Sequence, residues 1–98
     1  YIKGRRFEYE VKAELEAKGY ETMRTSGSHG AFDLIGINHF TGHIMLVQCK
    51  VTDNDTKATR MIEAFQKSPP FLSSVLPPKV AQMLAIKITN VGRKDTVV

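Results

Sequence analysis

The apolar positions of this chain change period several times, and each change marks an element. Phe7, Val11 and Leu15 recur at i, i+4 and i+8, which predicts a helix from Lys3 to Lys18 with Gly19 as its stop. Those three residues form a stripe about 80° wide, with Glu8 roughly 20° outside its Leu15 edge, so Glu8 can look along a neighbouring sheet rather than into water. "YETMRT" (20–25) has strand composition, and "SGSHG" (26–30) is a sharp loop rich in backbone N–H groups. "FDLIGI" (32–37), the turn "NHFTG" (38–42) and "HIMLVQCKV" (43–51) predict a hairpin. "KATRMIEAFQKS" (57–68) has helical spacing through Met61, Ile62 and Phe65. Prolines at 69, 70, 77 and 78 bracket "FLSSVL", either a short helix or an irregular connector. "VAQMLAIKITN" (80–90) ends in a strand, most secure from Leu84 to Thr89, and "VGRKDTVV" turns into a short last strand or tail. Helix, three strands, helix, strand is the order of a small α/β domain with a central mixed sheet flanked by helices.

Within "HIMLVQCKV" the alternation is informative. Ile44, Leu46, Gln48 and Lys50 share one face of the strand, and Met45, Val47, Cys49 and Val51 share the other. Two apolar faces predict a strand in the middle of the sheet, covered on both sides. Gln48 and Lys50 then end an inward face, where an amide and an ammonium need partners. Asp33 lies on the same face as Ile35 and Ile37 at the start of its strand, and the hairpin brings that start beside the end of the next. Asp33 is therefore expected alongside Gln48 and Lys50, with Glu8 approaching from the first helix.

Composition narrows the function. The 98 residues are expected to form a single domain over 1–98, with a homodimer as the default assembly. No apolar run is long enough to span a membrane. The basic start "YIKGRRFEYE" lacks an apolar signal segment, so an intracellular, cytoplasmic protein is expected. One cysteine makes no intrachain disulfide and no zinc pair. A net charge of +4 favours an anionic partner, nucleic acid ahead of a membrane surface.

A cluster of Asp33, Gln48 and Lys50 with Glu8 suits a hard divalent cation. Mg²⁺ takes oxygen ligands, keeps several waters and commonly uses one or two carboxylates plus a substrate phosphate. Asp33, the Gln48 side-chain oxygen and a backbone carbonyl near Cys49 are the expected metal ligands. Lys50 remains to hold an attacking water and to stabilise charge developing on phosphorus.

At this point the chain resembles a known family. "YIKGRRFE", "AKGYETMRTSGSHGAFDLI", "LVQCKVT" and "LAIKITNVG" are similar, in order, to the blocks of the archaeal-type Holliday junction resolvases, members of the PD-(D/E)xK nuclease superfamily with a restriction-endonuclease-like core. The segment 52–80 aligns least. The resemblance implies a homodimeric, Mg²⁺-dependent endonuclease, with Mn²⁺ as a substitute, that binds four-way junction DNA and makes paired nicks leaving 5′ phosphates. By position it implies that Glu8, Asp33 and Lys50 are catalytic, with Gln48 in the place of the usual metal-binding glutamate and Glu8 assisting a second metal or the water. It further implies that Arg24 contacts phosphate and that Ser26 or Ser28 assists the scissile strand. Lys3, Arg5 and Arg6 add a basic cluster for the DNA backbone. Two departures stand out: Tyr9 where relatives often carry arginine, and Gln48, which removes one negative charge.

Each residue also has a plainer reading. Glu8 is one of many helix glutamates, Asp33 could cap a loop, Lys50 could reach for water, and Gln48 could simply bond to Asp33. His29, His39 and His43 complete no zinc pattern, and His39 and His43 are expected on the hairpin surface. The Cys49 side chain is expected in the core, as are Phe65 and Phe71 in the core or at a dimer interface. Lys67, Lys79, Arg93 and Lys94 could extend the basic surface. Two rival functions remain: an Mrr-like restriction nuclease domain, which shares Q-x-K, and a junction-binding protein whose nuclease site has decayed.

Overall fold

The computed structural model describes residues 2–25, 30–89 and 96–97. Ser26, Ser28 and His29 lie outside the described residues, as do Arg93, Lys94 and the side chain of Lys3. The first helix, α1, runs Ile2–Ala17. Its stripe of Phe7, Val11 and Leu15 is buried, and Gly19 at φ +94° provides the left-handed turn that ends it. Then come β1 (Tyr20–Arg24), β2 (Leu34–Asn38) and β3 (Ile44–Thr52), each antiparallel to the one before. The turn between β2 and β3 is organised by Asn38, whose side-chain oxygen accepts from the N–H groups of Phe40 and Thr41. The second helix, α2 (Asp55–Lys67), carries the chain to β4 (Val80–Ile88), which lies parallel to β3 along its whole length. A single turn of 3₁₀ helix at Ser73–Val75 occupies the proline-bracketed connector. A two-residue β5, Thr96–Val97, pairs with Ala85 and Ile86 and completes the sheet order β1-β2-β3-β4-β5.

The helices cover opposite faces of this mixed sheet. Phe7, Val11 and Leu15 of α1 pack on Leu34, Val47 and Ala85, with Met45, Cys49 and Val51 joining them. Ala58, Met61, Ile62 and Phe65 of α2 pack on Leu84, Ile86 and Ile88. As expected, β3 is central and its odd-numbered residues face α1. Its even-numbered end is less enclosed than the pattern predicts, since Gln48 is only half-buried and Lys50 is exposed. Lys50 therefore keeps its hydration, and the demand for a buried counter-charge disappears.

Candidate active site

The start of β2 is irregular, and the irregularity shapes the site. Leu34 pairs with Val47, yet the N–H of Asp33 also donates to the Val47 carbonyl at 2.7 Å. Two residues of one strand thus address one residue of the next, the arrangement of a β-bulge, which re-aims a side chain. The Asp33 carboxylate accepts the Cys49 N–H through Oδ2 at 2.7 Å. Asp33 thereby clasps β3 on both sides of Gln48, and its own carbonyl accepts from Thr25 N–H at 3.0 Å. This corrects the expectation that Asp33 simply shares a face with Ile35 and Ile37 and pairs with Gln48 and Lys50. Alternation stops at the bulge, and the carboxylate takes a main-chain donor instead.

Gln48 and Lys50 project from β3 toward α2. Together with Ala31 they line one side of a cleft of about 420 Å³ whose other walls include Met61, Phe65 and Leu84. Among the described residues, neither the Gln48 amide nor the Lys50 ammonium has a hydrogen-bond or ion-pair partner. Lys50 also borders a second cleft of about 490 Å³ with Cys49, Thr52 and Gly4 of the first turn of α1. A Cβ placed on Gly4 would meet nothing within 4 Å, so the approach to Lys50 from that side is open.

Glu8 lies one helical turn beyond Gly4 and is engaged. Its Oε1 accepts from Arg24 Nε at 3.1 Å. Arg24 Nη1 donates to the Tyr9 hydroxyl at 3.3 Å, and the guanidinium carbon sits 4.9 Å from the centre of the Tyr9 ring. The Glu8 hydrogen bond holds the Arg24 pKa above its ordinary value, against the opposing effect of burial. Arg24, expected to contact phosphate, also has partners within the protein, and Tyr9, which stands where relatives often carry arginine, is the second of them. No periodicity signals this trio, because Glu8 and Arg24 are 16 residues apart and meet only when β1 lies against α1.

Cys49 behaves as core. Burial, followed by the charges of Asp33 and then Glu8, pushes its thiol up to about 12, so the sulfur stays protonated near neutral pH and packs as an apolar group. Asp33 and Glu8 are thus both within electrostatic reach of Cys49. Arg5 and Arg6 are exposed on α1. His39 and His43 are on the hairpin surface, with His39 Nε2 3.1 Å from Glu21. Phe65 packs against the α2 side of the core, while the exposed Phe71 ring stacks on Phe32 at 6.0 Å.

The oxygen donors available to a metal are the Asp33 carboxylate held at β3, the unpartnered Gln48 amide on the α2 side of the sheet and the Glu8 carboxylate of α1, one of whose oxygens Arg24 occupies. Among the described residues no group of three or more histidines, cysteines and acids gathers as a closed metal site. Oxygen-only donors of this kind would suit Mg²⁺ or Mn²⁺ better than a thiolate- or imidazole-seeking metal such as zinc.

The family model described as "Archaeal holliday junction resolvase (hjc)" matches residues 1–93. The chain belongs to the archaeal Holliday junction resolvase family. The fold agrees with that family: the Hjc Holliday junction resolvase of Archaeoglobus fulgidus, an archaeal hyperthermophile, superposes with a TM-score of 0.59 at 15% identity, over 97% of this chain and 70% of that one. A protein of unknown function from Silicibacter pomeroyi is more distant, with a TM-score of 0.39 at 18% identity over 90% of this chain and 64% of that one. No curated protein sequence matches this resolvase-family chain. Among the described residues, no helix is long and apolar enough to cross a membrane.

Proposed function

We propose that this resolvase-family chain is a single-domain endonuclease over 1–98 that nicks two opposing strands of a four-way DNA junction, acting as a symmetric homodimer with one site per strand. The observation that carries this reading is the end of β3, where Gln48 and Lys50 project without a protein partner among the described residues and where the Asp33 carboxylate, from the start of β2, is hydrogen-bonded to the intervening Cys49 N–H. Polar groups on a central strand that satisfy nothing in the fold are available to a ligand.

Asp33 and Gln48 would hold a divalent cation, Mg²⁺ or Mn²⁺, with the Cys49 carbonyl and Glu8 as further oxygen donors. Such an ion supplies charge neutralisation on the phosphate and a more acidic water. Lys50 stabilises the charge that builds on the phosphoryl oxygens and orients the attacking water. Water attacks phosphorus and the bond to the 3′ oxygen breaks, leaving a 5′ phosphate. Glu8 accepts a hydrogen bond from the water or supports a second ion. Arg24 contacts a phosphate, Ser26 or Ser28 assists the scissile strand, and Lys3, Arg5 and Arg6 neutralise flanking phosphates.

One feature favours a second reading, a junction-binding protein with a decayed site: Gln48 is neutral and Glu8 is tied to Arg24. Cleavage of a labelled four-way junction beside a linear duplex of the same arms, in Mg²⁺ and in EDTA, separates the readings. Paired, metal-dependent nicks confined to the junction and lost in Asp33→Asn are the expected result. Tight junction binding without cleavage in Mg²⁺ or Mn²⁺ would establish the decayed site, and equal cutting of linear duplex would indicate an Mrr-like restriction nuclease.

A further inference from the structure

Tyr9 has no part in the mechanism above, yet it makes two contacts with the guanidinium that the mechanism sends to a phosphate. Its hydroxyl accepts from Arg24 Nη1 at 3.3 Å, and its ring centre lies 4.9 Å from Arg24 Cζ. Glu8, the preceding residue on α1, takes Nε at 3.1 Å. An arginine offers five N–H donors in one rigid plane. Glu8 takes one at Nε and Tyr9 one at Nη1, and the rest of the fork has no partner among the described residues. Tyr9 is itself half-exposed, at 52%, so its position is not set by the core. Its contacts with Arg24 are the specific interactions that its exposed half makes.

We infer that Tyr9 is a positioning residue: its ring and hydroxyl, with Glu8, fix the plane of the Arg24 guanidinium so that its remaining N–H edge meets a DNA phosphate already oriented. A free arginine side chain must lose its rotamer freedom when it binds, and a braced one has lost part of it beforehand. Tyrosine suits the task, since its π face attracts the cation and its hydroxyl accepts, without adding a charge that would compete for the phosphate. The inference rests on the reading of Arg24 as a phosphate contact.

The test is the affinity for a synthetic four-way junction in EDTA, across a salt series, for the parent, Tyr9→Phe, Tyr9→Leu, Arg24→Ala and the two double variants. Tyr9→Leu is expected to weaken binding about three- to tenfold. Tyr9→Phe keeps the ring and is expected to lose about twofold. Neither change has any effect once Arg24 is alanine, because the whole contribution passes through that side chain. Arg24→Ala lowers the salt slope by about one. If the tyrosine changes cost the same with and without Arg24, Tyr9 touches DNA itself and the inference is wrong. If they cost nothing while Arg24→Ala weakens binding, Arg24 needs no brace and the inference is also wrong. If Arg24→Ala leaves affinity and salt slope unchanged, the phosphate reading of Arg24 fails first, a distinct result. Tyr9→Phe alters no packing volume to speak of, so it decides the matter even if Tyr9→Leu does not fold.

Discussion

At the scale of single residues, Asp33 has two separable roles. Its carboxylate satisfies the Cys49 N–H and, in the proposed mechanism, holds the cation. Asparagine retains an acceptor oxygen, so Asp33→Asn is expected to abolish cleavage while shifting the thermal midpoint little. Asp33→Ala leaves that N–H without its partner and is expected to cost about 1–3 kcal/mol in urea unfolding as well. Cys49 gives a pH signature. Its folded pKa, about 12, lies above the ordinary thiol value of 9.0, so the folded state binds more proton between those values. Stability from this group is full below pH 9 and is lost as the pH rises toward 12. Cys49→Ala should flatten that alkaline loss in pH-dependent melts. The face shared by Gln48 and Lys50 was legible from alternation alone, as was the core side of Cys49. The aim of Asp33 was not, because a bulge of one residue breaks alternation without any mark in composition. Nor was the pairing of Glu8 with Arg24, which depends on how β1 and α1 are brought together.

At the scale of elements, most types were legible and some limits were not. The first turn of α2 begins at Asp55 rather than Lys57 because Asn54 caps it, its side chain accepting from Thr56 N–H at 2.7 Å and Lys57 N–H at 3.1 Å. The cap lay within "TDNDT", read as a polar loop. Only Ala58 of α2 is fully buried, so this helix depends on its ends more than α1 does. Asn54→Ala is expected to destabilise the protein by about 1 kcal/mol, measured by urea titration. β4 begins at Val80, well before the secure strand at Leu84, because β3 pairs with it from Ile44 onward. A strand so exposed at its start gains its regularity from its neighbour, and single-segment patterns do not contain the neighbour.

At the scale of the whole molecule, the mixed sheet order follows from connection lengths. The segment 39–43 joins β2 to the antiparallel β3, whereas the much longer passage 53–79, which carries α2, returns the chain to a parallel β4. Charge acts at this scale too. With a net charge of +4, junction binding is expected to weaken steeply with added salt, as a linear fall of log K against log salt. A shallow slope in fluorescence anisotropy would mean that few of the basic residues meet phosphate. Family membership was legible from four ordered blocks of sequence, whereas any one of them alone is common.

The clasp of Asp33 around Gln48 has a consequence for how such a chain can drift. The side chain of residue 33 is tied to the Cys49 N–H of β3, so replacing it with a residue that has no acceptor oxygen there disturbs the fold whatever happens to catalysis. The side-chain amide of Gln48 has no hydrogen-bond partner among the described residues, although its main chain pairs within the β3–β4 ladder, so a polar exchange of similar shape there removes no hydrogen bond of the fold. Tolerance to side-chain exchange at this site is therefore uneven: the carboxylate of residue 33 is tied to the main chain of β3, and the amide of residue 48 is held by no hydrogen bond among the described residues.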